Sequence, residues 1–109
     1  KDVLTATGSG NARFYVMALS DYKNSETYYY DDAKRITSGE WSVPTINEWA
    51  AFGGQLGITP SNYSGYGLIG FYWSSSSYYG YYGYYISFST DFVYYNSGIN
   101  YPVRLARTF

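Results

Sequence analysis

Hydrophobic and polar positions follow one rhythm in the first half of this chain and another after about residue 57. Residues 13–19 (RFYVMAL) form an apolar run of strand length, preceded by TATGSGN, a polar stretch that suits a turn or a frayed end. Beyond it, Ser25 is placed to cap a helix starting near Glu26. Tyr29, Ala33 and Ile36 then share one face at i, i+4 and i+7, and Gly39 is a natural stop. Asp31 and Arg35 stand four apart on the other face, in the acid-before-base order that favours a helix. The segment WSVPTINEW (41–49) predicts a second helix. Thr45 and Glu48 form a capping box, and Trp49, Phe52 and Leu56 supply an apolar stripe, with Gly53, Gly54 and Gly57 as places to end.

After Ile58 the text turns to Gly, Ser, Asn and Tyr, and no helix is expected. Phe71–Ser75, Tyr84–Ser89 and Pro102–Arg107 carry β-favouring residues with partial alternation, separated by turn-rich stretches. The pattern as a whole predicts an α+β domain: a strand, two helices, then short antiparallel strands joined by long loops. A chain of 109 residues suits one domain, so the change near residue 57 separates two halves of a single core, with residues 1–12 a flexible or edge segment.

Charge and residue usage narrow the chemistry. Seven basic and eight acidic residues give a net charge of −1, which offers no footprint for nucleic acid or an anionic membrane. No apolar run approaches the roughly 18 residues that span a bilayer, and Lys1 does not begin a signal peptide, so the chain reads as a mature domain or an excised fragment. Cysteine and histidine are both absent, which removes Ser-His and Cys-His nucleophile pairs, disulfides and the usual zinc sites. Asp31 and Asp32 are adjacent, but neighbours on a helix point apart, so they read as a solvated surface rather than a metal site. No cofactor is expected. Tyrosine is the outlier, at 17 residues, and such aromatic content argues for a folded chain.

Three motifs in order, WSVPTINEW (41–49), GFYWSSSS (70–77) and YPVRLAR (101–107), carry a family resemblance over residues 13–109. The chain resembles the bacterial and phage domains with a C-type-lectin-like fold that include the collagen-like adhesin C-terminal domain and the variable proteins of diversity-generating retroelements. That resemblance implies a stable scaffold displaying a C-terminal variable segment, here 70–109, diversified at template adenines. Altered AAC codons give Tyr, Ser, Asp and Gly, the types that dominate 77–101. It implies a scaffold of Trp41, Pro44, Trp49, Trp73, Ile86, Phe88, Val103 and Arg104. The ligand-binding residues would be Tyr78, Tyr79, Tyr81, Tyr82, Asp91, Tyr94, Tyr95, Asn96, Ser97, Asn100 and Tyr101. Tyr84 and Tyr85 begin a strand, so alternation should bury one of them. The motifs of calcium-dependent animal lectins are missing, as are the cysteines of the formylglycine-generating enzymes, and neither activity carries over.

The tyrosines have a physical reading of their own. Tyr gives large, rigid contact area at low entropic cost and ends in a hydroxyl that donates and accepts, with Ser, Gly and Asn filling gaps, as in antibody loops. The expected function is therefore a non-enzymatic receptor or adhesin domain, extracellular on a bacterial surface or phage virion, monomeric, and binding a protein target. A calcium-independent glycan-binding adhesin is the competing reading, since tyrosines also stack on sugars. Single-stranded nucleic acid would need a basic groove, and no Lys or Arg occurs between Ile36 and Val103. Glu48 is better used as a cap than as a catalytic acid.

Overall fold

The computed structural model describes residues 3–7, 14–18, 20–80, 82–90 and 92–108. The chain is α+β. Strand β1 (Val3–Thr7) pairs antiparallel with β2 (Phe14–Ala18), from Val3 opposite Ala18 to Thr7 opposite Phe14. The expectation of a turn or frayed end at TATGSGN is thus corrected over Thr5–Thr7, where β-branched residues continue an edge strand along β2. Residues 8–13, and Leu19 at the end of the predicted strand, lie outside the described residues.

The predicted helix from Glu26 to Gly39 shrinks to one turn. A 3-10 turn at Tyr22–Ser25 leads into β3 (Thr27–Tyr28), then α1 (Tyr30–Ala33), then β4 (Thr37–Ser38) and β5 (Trp41–Ser42). Strand pairing at both ends overrides the helical pattern. Tyr28 is drawn into a ladder opposite Tyr101, and Thr37 and Ser38 pair with Ser42 and Trp41. Ala33 is buried and Ile36 half-buried, as the stripe predicts, but Tyr29 is extended backbone with an exposed ring. The ion pair on this turn joins Asp31 to Lys34 at 3.4 Å, not to Arg35.

Helix α2 (Ile46–Leu56) forms where the sequence places it. Glu48 N–H donates to Thr45 Oγ1 at 3.1 Å, Thr45 N–H donates to Glu48 Oε1 at 2.7 Å, and Gly57, at φ 67°, ends the helix in the left-handed conformation. A 3-10 turn at Tyr63–Tyr66 interrupts the helix-free stretch expected after Ile58.

The remaining strands are β6 (Phe71–Tyr78), β7 (Tyr82–Ser87), β8 (Phe92–Asn96), β9 (Tyr101–Pro102) and β10 (Ala106–Thr108). Among the described residues they complete three sheets: β1-β2-β10-β5-β4, the two-stranded β3-β9, and β6-β7-β8. Strand β8 was not anticipated, and Val103–Leu105, expected as strand, carry no ladder.

Two packed clusters support the third sheet. Trp49 and Phe52 of α2 bury against Tyr72, Ile86 and Phe88, with the Trp49 and Tyr72 rings stacked 5.1 Å apart. On the other side Trp73 packs with Tyr30, Ala33, Tyr85, Val103 and Leu105. The two tryptophans are tied together, Trp49 Nε1 donating to the Trp73 carbonyl at 3.1 Å and Trp73 Nε1 donating to the Tyr28 carbonyl at 2.6 Å. Of the expected scaffold residues, Trp41 is half-buried and the other seven are buried. Arg104 is enclosed with Asp21: its Nε and Nη2 reach Asp21 Oδ1 at 3.0 and 2.8 Å, and Nη2 also donates to the Gly67 carbonyl at 2.7 Å.

Candidate ligand-binding surface

The register of β6-β7-β8 sorts the tyrosines onto two faces. Side chains alternate along a strand, so Tyr82, Tyr84 and Ile86 of β7 share a face with their partners Tyr78, Tyr95, Tyr72 and Val93. At one end of that face Tyr72 and Ile86 lie under α2. At the other end, among the described residues, no helix covers the sheet, and the rings gather on one another. Tyr78 and Tyr95 stack with centroids 4.4 Å apart and planes 20° apart, Tyr79 meets Tyr78 edge-on at 4.4 Å, and Tyr82 lies 5.6 Å from Tyr95. Tyr84 joins them 6.0 Å from Tyr95. Exposure is 79% for Tyr79, 39% for Tyr82 and 49% for Tyr95.

Local structure holds these rings in place. Between Trp73 and Ser77 the register of β6 shifts, three residues standing against Tyr84 alone. Buried Ser74 stitches the bulge, its Oγ donating to the Tyr84 carbonyl at 2.7 Å and accepting Ser76 N–H at 3.1 Å. At the hairpin tip Tyr79 and Gly80 take positive φ angles of 55° and 76°, which lifts the Tyr79 ring off the end of the sheet.

The opposite face carries a second aromatic row. Phe71 stacks on Tyr101 at 5.1 Å, Tyr101 lies 4.5 Å from Tyr85, and Tyr85 stacks on Tyr94 at 5.7 Å. Its inner members rest on Trp73. Of the expected ligand-binding residues, Tyr101 sits apart from the Tyr78 cluster: pairing of β9 with β3 packs its half-buried ring against the Trp73 cluster. Burial, and then its hydrogen bond with Tyr85, push its hydroxyl pKa up to about 12. Within β7, pairing with Trp73 leaves Tyr85 buried and Tyr84 half-exposed.

Tyr78, Tyr79, Tyr82 and Tyr95 are therefore brought together, while Tyr94 lies on the other face at the same edge. Asn96 is occupied by its own turn, its Oδ1 accepting the N–H groups of Ser97 and Gly98 at 2.7 and 2.9 Å. Ser97 and Asn100 are exposed in the loop after β8. Tyr81 and Asp91 lie outside the described residues.

Sequence reasoning missed two exposed apolar side chains bordering the rings, Val93 at 47% and Phe71 at 36%. The run FVYY at 92–95 carried the signal for the first of these, since four consecutive β-favouring residues suit a strand better than a loop. Past Val93 the ring-bearing face opens into a cavity of about 420 Å³ between α2 and the sheet, bounded by Gly53, Gly54 and Gly57 on the helix and Ile86, Phe88 and Val93 on the strands.

The Tyr78 hydroxyl is held above the ordinary tyrosine pKa, first by its hydrogen bond with Tyr79, then by desolvation and by Tyr95 and Tyr84. It stays neutral at physiological pH, so what it offers is ring area and neutral hydrogen bonding. Among the described residues no group of three or more Asp and Glu side chains is placed to hold a metal ion. No helix among the described residues is long and apolar enough to cross a membrane. No protein-family model, curated protein or solved structure matches this chain.

Proposed function

We propose that this chain is a non-enzymatic ligand-binding domain that meets a protein target through the tyrosine cluster of β6, β7 and β8. The observation that carries this reading is the coexistence of Tyr79, Tyr82 and Tyr95, well exposed and in ring contact with Tyr78, with fully buried Tyr72 and Trp73 in the same sheet and Trp49 of α2 packed against Tyr72. Contiguous exposed aromatic area of this kind is unfavourable in water without a partner. Tyrosine is also enriched at interface hot spots, where rigid rings bury much area for little lost entropy. The cavity beyond Val93 gives an apolar side chain of the partner a place to anchor.

The same reading gives the domain a C-type-lectin-like fold and the role of a retroelement-type variable protein, exposed on a bacterial surface or phage virion and monomeric in isolation. Its support is the motif order, the α+β arrangement, and the restriction of the exposed tyrosine cluster to residues 78–95, within the segment whose residue types match altered AAC codons.

The test is a parallel screen of the labelled domain and its Tyr79→Ser/Tyr82→Ser/Tyr95→Ser variant against arrays of surface proteins and of glycans. Binding of the parent to a protein, lost in the variant, is the expected result. Signal on glycans alone would replace the protein target by a sugar, and equal binding by both proteins would overturn the assignment of the surface.

A further inference from the structure

Among the described residues, strand β8 is the terminal strand of its sheet, with β7 as its ladder neighbour through five uninterrupted pairs from Gly83–Asn96 to Ser87–Phe92. The opposite edge of this sheet is sealed. Along β6 the Trp73 carbonyl accepts Trp49 Nε1, Ser75 N–H donates to the Pro44 carbonyl at 2.8 Å, and the Ser75 carbonyl accepts the Tyr30 hydroxyl at 2.9 Å. Natural edge strands are guarded by charge, proline, bulges or brevity. Phe92–Asn96 contains no charged residue and no proline, its register has no shift, and five residues is an ordinary strand length; Asp91 precedes it in sequence.

The side chains of this edge explain an otherwise odd feature. Tyr94 and Tyr95 are consecutive and both well exposed, at 42% and 49%, yet they point to opposite faces, Tyr95 into the Tyr78–Tyr82 cluster and Tyr94 onto Tyr85. A ligand lying on one face reaches only one of them. The two aromatic rows converge at β8, and an extended backbone placed alongside it sends alternate side chains to both.

We infer that the protein partner is captured by strand addition: an extended segment pairs with Phe92–Asn96 and lays aliphatic or aromatic side chains over Tyr95 and Val93 on one face and over Tyr94 on the other. Main-chain hydrogen bonds supply affinity that tolerates changes of side chain, and the flanking rings supply the choice of partner. This rests on the binding role proposed above and adds the mode of recognition.

The experiment selects binders to the whole chain from a phage-displayed library of random dodecapeptides and follows amide hydrogen exchange of Phe92–Asn96 by NMR, with affinities for Tyr82→Ser, Tyr94→Ser and Tyr95→Ser. The expected result is slowing of alternate β8 amides by at least about tenfold on saturation, with Kd raised about tenfold or more by Tyr94→Ser and by Tyr95→Ser. Unchanged β8 exchange in complexes still lost through Tyr82→Ser or Tyr95→Ser overturns strand addition and leaves the binding role standing. Complexes indifferent to all three substitutions overturn both. A library without binders, or β8 protection that instead grows with protein concentration alongside a sedimenting dimer, overturns capture of a partner segment.

Discussion

Gly83 of β7 lies directly beneath the ring of Tyr30, so a Cβ at that position would overlap Tyr30 Cγ and Cδ1. The ring cannot easily withdraw: its hydroxyl donates to the Ser75 carbonyl and its centroid lies 5.5 Å from that of the tilted Trp73 ring. Gly83→Ala is therefore expected to destabilise the domain by about 1–3 kcal/mol, the usual cost of overpacking a core. Denaturant melts of Gly83→Ala, Tyr30→Ala and the double variant check this. The account requires the double variant to be more stable than the sum of the two single losses.

Asp21 and Arg104 form a nearly solvent-free pair, with side-chain exposures of 5% and 1%. The Tyr72 hydroxyl also donates to Asp21 at 2.6 Å and accepts Ile69 N–H at 2.9 Å. Removing one partner leaves the other charge buried, so Asp21→Ala is expected to cost about 3–5 kcal/mol. Chemical denaturation measures it, and a loss below about 1 kcal/mol would show the pair to be dispensable.

At the hairpin tip, Tyr79 occupies the left-handed region, which costs a residue with a Cβ about 1 kcal/mol or more. Tyr79→Gly should therefore raise stability by up to about 1 kcal/mol while weakening binding of any ligand that contacts the tip. Thermal melts and affinities of the same two proteins test both halves of this expectation.

The tyrosine pKa shifts set an alkaline limit. Tyr101 rises to about 12 through burial and its bond to Tyr85, and Tyr72 is raised through burial and its bond to Asp21. Both hold their protons more tightly folded than unfolded, where tyrosine titrates near 10. Their contribution is thus complete below about pH 10 and is lost as pH rises through the folded values. Stability measured from pH 8 to 12 should fall above about pH 10, and Tyr101→Phe should blunt that fall.

How far the sequence could be read depended on whether a signal was local. The capping box at Thr45 and Glu48, and the Trp49–Phe52 stripe, concern neighbours along one helix, and α2 formed as predicted. The helix expected from Glu26 failed because Tyr28 answers to Tyr101, a partner 73 positions away that no local pattern reveals. The same long-range pairing packs the half-buried Tyr101 against the Trp73 cluster, away from Tyr78. Alternation correctly required one of Tyr84 and Tyr85 to be buried, but only the register with Trp73 decided which. Composition marked 78–95 as unusual; it could not divide those tyrosines between two faces of a sheet.

The proposed binding role requires that the tyrosines be displayed by a scaffold that does not need them. The most direct measurement is the thermal and chemical denaturation of Tyr79→Ser/Tyr82→Ser/Tyr95→Ser beside Trp73→Ala. The account predicts a folded triple variant that loses under about 2 kcal/mol, against about 3–5 kcal/mol for the buried indole. A triple variant that unfolds as readily as Trp73→Ala would place those rings in the structural core and contradict the claim.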